Sequence, residues 1–242
     1  MAIDSNDILL MQSNSVDNDT EMLDGTEKQT LTTTGGIYHD TAQSVFGKSS
    51  MYHDGSANPI VWNDSIDFTM AAGDFTIDAW IRVERDSGAG QTICSHWSTT
   101  SGYKSYIFSY NAGTGQLNFL YSTNGSANSG QYLNTVNLSL NTWYHIAIER
   151  SGTVLQFYVD GVKASASHTI GTTSLFNAPM GYRVGAYIDG ASAINKLNGW
   201  MDELRIGKGI ARYGLTNFTP PTEPYLPLAG GINLMPRRRR RY

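Results

Sequence analysis

The sequence predicts an all-β fold: a two-sheet antiparallel jelly-roll sandwich with an extended N-terminal arm and a C-terminal tail. Three observations predict it. Several segments alternate apolar and polar residues with period two, while no window holds a 3.6-residue apolar period. Turn residues are abundant, with 25 Gly in 242 residues. Charged residues make up only 16%, and Ser, Thr and Asn take the place that Lys and Glu hold on helical surfaces.

Taken in order, residues 1–36 are polar and irregular around one apolar run, Ile8-Leu9-Leu10-Met11, and read as a first strand or docking arm followed by a loop. Phe75, Ile77, Ala79, Ile81 and Val83 then alternate with Thr76, Asp78, Trp80 and Arg82. Ser105 to Tyr110 and Gln116 to Tyr121 flank the loop Asn111-Ala-Gly-Thr-Gly115, a hairpin signal. Tyr144, Ile146 and Ile148 mark the inward face of the next strand, and Leu155, Phe157 and Val159 that of its neighbour. Asp160-Gly161 is a tight turn into Val162-Lys163-Ala164, because both of its residues tolerate positive φ. Tyr182 to Tyr187 and Gly199 to Ile206 supply late strands, and residues 219–227 hold four of the seven prolines and read as an exit segment. The division is therefore an arm over 1–36, a sandwich over 37–218, and an exit segment with tail over 219–242.

Charge separates the tail from the rest. Residues 237–241 are five arginines, and all 21 acids precede them, so the body carries −9 and the tail +5. Arg237, Arg238, Arg239, Arg240 and Arg241, with Tyr242, are the candidate partner-docking residues, and their partner surface should be acidic. Nucleic acid is disfavoured as partner, since a body of that sign is repelled by a duplex. One cysteine, Cys94, allows no internal disulfide. The start holds Asp4 and Asp7 with no basic segment, which predicts no secretory signal. No apolar run reaches the length of about 18 residues that a membrane span needs, so no membrane insertion is expected.

Three ordered segments resemble the laminin-G-like, concanavalin A-like lectin/glucanase superfamily over roughly residues 40–225. They are Phe46-Gly-Lys-Ser-Ser-Met-Tyr-His-Asp-Gly55 with Gly73-Asp-Phe-Thr-Ile-Asp-Ala-Trp80; Asn141-Thr-Trp-Tyr-His-Ile-Ala-Ile-Glu-Arg150 with Phe157-Tyr-Val-Asp-Gly161; and Leu197-Asn-Gly-Trp-Met-Asp-Glu-Leu-Arg-Ile206 with Ala211-Arg-Tyr213 and Phe218-Thr-Pro-Pro221. The last ending is similar to that of laminin-G-like domains in tailed-phage virion proteins. The resemblance implies a concanavalin A-like sandwich, and at its rim a Ca²⁺ for which Asp54 and Asp202 are the candidates by position. It also implies a glycan site. Trp62, Trp97, Tyr103 and Tyr121, with Tyr132, stand in or near loops, and Ser122 to Gly130 is a polar recognition loop.

Enzyme chemistry is not expected. Glucanases of this fold need two acids flanking the sugar bond on alternate strand positions. The six Glu form no such pattern, and Asp202-Glu203 are adjacent, which places their side chains on opposite faces of a regular strand. His39, His53, His96, His145 and His168 show no metal-ligand spacing, and Cys94 two residues from His96 is poor geometry for a nucleophile and its base. The first functional reading is a non-enzymatic structural protein of a tailed-phage virion, a head-decoration or tail-associated component made in the host cytoplasm. It would dock on other virion proteins through its arm and tail and display a lectin-like sandwich. The alternative is a carbohydrate-binding module for cell-surface glycans, and a glycoside hydrolase ranks last.

Overall fold

The computed structural model describes residues 3–33 and 35–226. Its strands are β1 (Asp7–Met11), β2 (Leu31–Thr33), β3 (Tyr38–Asp40), β4 (Ser50–Asp54), β5 (Ile60–Trp62), β6 (Phe75–Val83), β7 (Gly90–Trp97), β8 (Lys104–Asn111) and β9 (Gln116–Tyr121). They continue with β10 (Gly130–Thr135), β11 (Trp143–Ser151), β12 (Val154–Val159), β13 (Val162–Thr169), β14 (Tyr182–Val184), β15 (Tyr187–Asp189), β16 (Ser192–Ile194) and β17 (Asn198–Lys208). Among the described residues the helical content is one 3-10 turn, Ile66–Phe68, capped by the Ser65 hydroxyl. No helix of the described residues is long and apolar enough to cross a membrane.

Two antiparallel sheets form the sandwich. One has the order β13-β12-β11-β6-β17-β4-β3, and the other β10-β9-β8-β7-β14-β5-β2. Strand β17 is long enough to pair with β4 at one end and with β1 at the other, which makes the first sheet eight-stranded. The expected inward residues of β6, β11 and β12 join those of β8 and β9 in one core. Rings meet across it, Phe75 with Phe119 at 5.7 Å and Phe108 with Phe157 at 6.2 Å. Each fully buried aromatic or aliphatic side chain there contributes about 1.5–3 kcal/mol.

The Asp160-Gly161 turn forms as expected, with φ of 49° and 75°. Glycine is required there for a second reason. A Cβ on Gly161 would lie 1.9 Å from the Phe218 carbonyl oxygen, because the chain returns over this hairpin. At the far edge, Asn134 of β10 treats Ala166 of β13 as a strand would. Its side-chain amide donates to the Ala166 carbonyl at 3.0 Å and accepts from the Ala166 N–H at 3.3 Å. That bridge ties the two sheet edges and occupies groups that could otherwise template another strand.

The expected boundaries shift outward at both ends. Of the two readings of the Asp7–Met11 run, the first strand is the one that forms: it pairs antiparallel with β17 and every residue of it is buried. Tyr225 is buried too, in a small cluster with Ile3 and Leu10, and the Ile3 N–H donates to the Leu226 carbonyl at 3.2 Å. The exit segment, at least to Leu226, is thus part of the sandwich. Apolar burial at both ends explains the correction: Ile8, Leu9 and Met11 belong to the main core.

Candidate functional site

The eight-stranded sheet buries a set of acids on its outer face. Asp78 points away from the core side of β6 and accepts from four groups. Arg205 reaches its Oδ2 by Nε at 3.1 Å and Nη2 at 2.7 Å. The hydroxyls of Tyr213 and Tyr225 donate at 3.0 and 2.8 Å. Burial alone would raise the Asp78 pKa, but the charge of Arg205, with His145, overcomes it and holds the carboxyl far below the usual range. Glu149 accepts from the backbone N–H groups of Tyr213 and Leu215 at 2.8 and 2.7 Å and from the Tyr158 hydroxyl at 2.5 Å. Glu203 accepts from the Tyr225 N–H at 2.8 Å and from Gln12. These carboxylates all fasten one strap, residues 209–226, over the sheet. Tyr213 stacks on Phe218 inside it at 3.6 Å.

Asp202 and Glu203 do not face opposite sides as a regular strand requires. A bulge between Asp202 and Arg205, with Glu203 at φ 52°, puts one extra residue into β17. Both side chains then serve the N-terminal segment, Asp202 accepting from the Ser13 N–H at 3.3 Å and Glu203 from Gln12 Nε2 at 2.9 Å. Burial, reinforced by the neighbouring Glu203, pushes the Asp202 carboxyl well up. Asp54 is elsewhere: it pairs in register with Asn198, four residues from Asp202 along β17 and so about 13 Å away. Its carboxylate accepts from the N–H groups of Ser56 and Ala57, both at 2.7 Å, and from the Ser56 hydroxyl at 2.8 Å, which fixes a turn. The two candidate calcium ligands therefore form no common centre, and among the described residues no group of three His, Cys, Asp or Glu is arranged to hold a metal ion. Cys94 is fully buried, and burial drives its thiol up to about 12.

Two of the four aromatic candidates are core residues. Trp62 donates its indole N–H to the Met11 sulfur at 3.4 Å, and Tyr121 packs between Phe119 and Tyr132. The other two meet at one end of the seven-stranded sheet. Trp97 is buried outside the main core with the Lys104 ammonium 5.7 Å from its ring centre, and Tyr103 is exposed in the next loop. Three loops converge there. Gly102 and Lys104 N–H groups both donate to the Gly125 carbonyl, at 2.8 and 3.1 Å, and the hydroxyl of Ser101 meets that of Ser126 at 2.8 Å. The β15–β16 hairpin joins through the Thr99 N–H to the Ile188 carbonyl at 2.9 Å and a hydroxyl–carboxylate contact of Thr99 with Asp189. Within the polar loop, the Asn124 side chain accepts from Ser126 and Ala127 N–H groups at 2.9 and 3.0 Å, so the loop is built in advance of any ligand.

Beside these loops runs the outer face of β8, β9 and β10. Tyr106, Phe108 and Tyr110 point inward, as do Leu117 and Phe119, so Ile107, Ser109, Asn118 and Leu120 point outward. Ser109, Asn118 and Leu133 are in register, as are Ile107, Leu120 and Gln131. Gln131 donates to Asn118 at 2.9 Å, and Asn118 donates to Ser109 at 3.2 Å. Gln131 and Leu133 are exposed, and Asn118 and Leu120 half-buried. The result is a neutral ladder of amides and hydroxyls interleaved with leucines. The ladder escaped sequence reading because β10 was not read as a strand. Its signal was there, in Tyr132 and Asn134 alternating with Gln131, Leu133 and Thr135.

The laminin-G-like model of the Concanavalin A-like lectin/glucanases superfamily matches residues 54–209, more than half of the chain. The chain belongs to this superfamily. Curated protein sequences yield no significant match. Solved structures share the concanavalin A-like fold at low identity. The binding domain of Paraclostridial Mosquitocidal Protein 1 matches with TM-score 0.64 and 16% identity, over 86% of this chain and 50% of that one. The ligand binding domain of botulinum neurotoxin serotype D in complex with N-Acetylneuraminic acid matches with TM-score 0.61 and 11% identity, over 86% and 48%. Domain 4 of AbnA, a GH43 extracellular arabinanase from Geobacillus stearothermophilus, in complex with arabinotriose, matches with TM-score 0.57 and 17% identity, over 84% of this chain and 96% of that domain. This concanavalin A-like chain spans about half the length of the toxin domains and nearly all of the arabinanase domain.

Proposed function

We propose that this concanavalin A-like chain is a non-catalytic glycan-binding domain. The observation that supports it most is the neutral ladder Ser109–Asn118–Gln131. The same sheet carries at one end three pre-built loops and the exposed ring of Tyr103. Amides supply both donors and acceptors for sugar hydroxyls, and Leu120, Leu133 and Tyr103 supply apolar surface for the C–H faces of the rings. Two neighbours of the same fold bear on it: the arabinanase domain holds arabinotriose and the serotype D domain N-acetylneuraminic acid. Against catalysis stands the use of the buried acids Asp78, Glu149 and Glu203, whose oxygens already hold the strap.

A glycan array with and without a chelator tests this reading. Saturable binding that Asn118→Ala with Gln131→Ala weakens at least tenfold supports it, and absence of binding to every glycan sinks it. The chelator arm tests calcium, for which Asp54 is the exposed candidate. The setting we propose is the tailed-phage virion, as a head-decoration or tail-associated protein with other virion proteins as partners, because the Phe218-Thr-Pro-Pro221 ending resembles such proteins. Deleting residues 236–242 and measuring incorporation into particles tests the tail's part. The docking residues Arg237–Arg241 and Tyr242 lie outside the described residues.

A further inference from the structure

One row of side chains on the eight-stranded sheet is left uncovered by the strap. In register across five strands, the outer face carries Trp143 on β11, Arg82 on β6, Trp200 on β17, Tyr52 on β4 and Tyr38 on β3. Five neighbouring strands make a row about 19 Å long. Its members touch. The Arg82 guanidinium lies 4.7 Å from the Trp200 ring centre, Trp200 and Tyr52 are 4.8 Å apart, and Tyr52 and Tyr38 5.5 Å. Trp143, Arg82, Tyr52 and Tyr38 are all half-buried, so their edges reach solvent.

Carboxylates rim the row. Asp40 accepts from the Trp200 indole N–H at 2.7 Å, and Glu84 from the Tyr52 hydroxyl at 3.1 Å. Burial first, and then the charges of Asp40, Asp54, Asp17 and Glu84, raise the Tyr38 pKa, so all four acids lie within electrostatic reach of one ring. Lys196 lies near Asp54, where it donates to the Ser56 carbonyl, and Arg85 is 3.9 Å from Glu84. An aromatic surface with an acidic rim suits guanidinium groups, which stack on rings and fork onto carboxylates. The row already holds one guanidinium, Arg82, which stacks on Trp200 and donates to the Asn141 side-chain carbonyl at 3.0 Å.

We infer that the occupant of this row is the chain's own arginine run, Arg237–Arg241. Charge complementarity is one argument: the body is −9 and the run +5. Position is the other. The described chain ends at Leu226 on this same outer face, where the Tyr225 hydroxyl reaches Asp78 at 2.8 Å. Asp78 is four residues from Arg82 on β6, about 13 Å away. Residues 227–236 can span up to about 33 Å, more than twice that distance. Tethering also gives an intramolecular partner an effective concentration of about a millimolar, well above that of a free competitor. The inference is independent of the glycan site, which is on the other sheet, and it competes with the virion partner proposed above for the tail.

The test uses the native full-length chain and a full-length variant with all of Arg237–Arg241 changed to Gln. A fluorescent peptide of five arginines and one tyrosine is titrated into each at low salt. The peptide should bind the Gln-tailed chain at least tenfold more tightly than the native chain, whose own tail competes. Adding Asp40→Asn and Glu84→Gln to the Gln-tailed chain should weaken the peptide at least tenfold, with an unchanged unfolding midpoint. Equal binding to the native and Gln-tailed chains overturns the inference, as does binding indifferent to the two acid substitutions. Salt-sensitive dimerisation of the native chain alone, read by sedimentation, would assign the tail to a second copy and overturn the intramolecular contact.

Discussion

The outer faces of the two sheets use polar residues in opposite ways. On the eight-stranded sheet, Asp78, Glu149, Asp202, Glu203 and Arg205 are charged types, nearly inaccessible, and spent on the strap and the first strand. On the seven-stranded sheet, Ser109, Asn118 and Gln131 are neutral, and the ladder runs from buried Ser109 through half-buried Asn118 to Gln131, which is open to water. A buried charge is tolerable only when several donors or a counter-ion meet it, so a charged face acquires a cover. A neutral amide face costs little to leave wet and keeps its hydrogen-bonding capacity for a ligand. The difference teaches that the acids, which a search for catalysis would select first, belong to closure, and that the face left without a cover is the uncharged one, where we propose recognition.

The sharpest way to break this comparison is at Asp78. Asp78→Ala leaves Arg205 buried without its carboxylate and takes the acceptor from Tyr213 and Tyr225. The expected loss is about 3–5 kcal/mol, read by urea unfolding. A loss under about 1 kcal/mol would mean that the strap is not held through this group. Glu149→Gln should come next, at about 2 kcal/mol, because it exchanges a carboxylate bonded to two backbone N–H groups for an amide that must turn a donor toward one of them.

Acidity sharpens the same contrast, since the covered face carries buried acids and the ladder Ser109, Asn118 and Gln131 carries no titratable group. Asp78 and Asp4 have folded pKa values below 3.8; that of Asp4 falls to about 2, chiefly through its hydrogen bonds from Arg212. Groups shifted down stabilise the fold above their unfolded value and lose that contribution as pH falls through the folded one. The unfolding midpoint should therefore drop between about pH 4 and pH 2. Glu203 has the opposite sign. Burial pushes it up to about 7 against the hydrogen bonds from Tyr225 and Gln12, with Asp78 adding repulsion. Its contribution is full below 4.5 and is lost as pH rises toward 7. Glu203→Gln should flatten that upper limb in a pH series of thermal melts. If the limb is as steep in the variant as in the native chain, another group, Asp202 first, is responsible.

How much of this was legible in the sequence depended on whether alternation survived. Strands β6, β9, β11 and β12 alternate cleanly, and so does the Asp160-Gly161 turn between β12 and β13 obey its local chemistry. Strand β7 does not: Gln91, Thr92, Ser95 and His96 are buried along with Ile93 and Cys94, so no period-two pattern marks it. Gln91 is satisfied by Arg85 and Asn198, partners that no local pattern announces. The bulge at Glu203 was likewise hidden, because a residue type rarely found at positive φ occupies it. Among the site residues, nearness to a loop did not measure exposure. Trp62 and Tyr121 end strands whose inward faces fill the core, whereas Tyr103 is in the loop itself. The ladder needed a register between β8, β9 and β10, which is a non-local fact.

The smallest expected effect on stability is at that ladder, and it separates the two faces most directly. Asn118→Ala and Gln131→Ala each remove a side chain bonded to its ladder neighbours, half-buried at Asn118 and open to water at Gln131. Each should shift stability by no more than about 0.5 kcal/mol, within the range of surface substitutions. The same pair should cost at least tenfold in affinity for any glycan the chain binds, measured by calorimetry on variants with native melting curves. A large loss of stability would show that the amide ladder is a structural cross-brace between strands, and the contrast between a closed charged face and an open neutral one would fail on its open side.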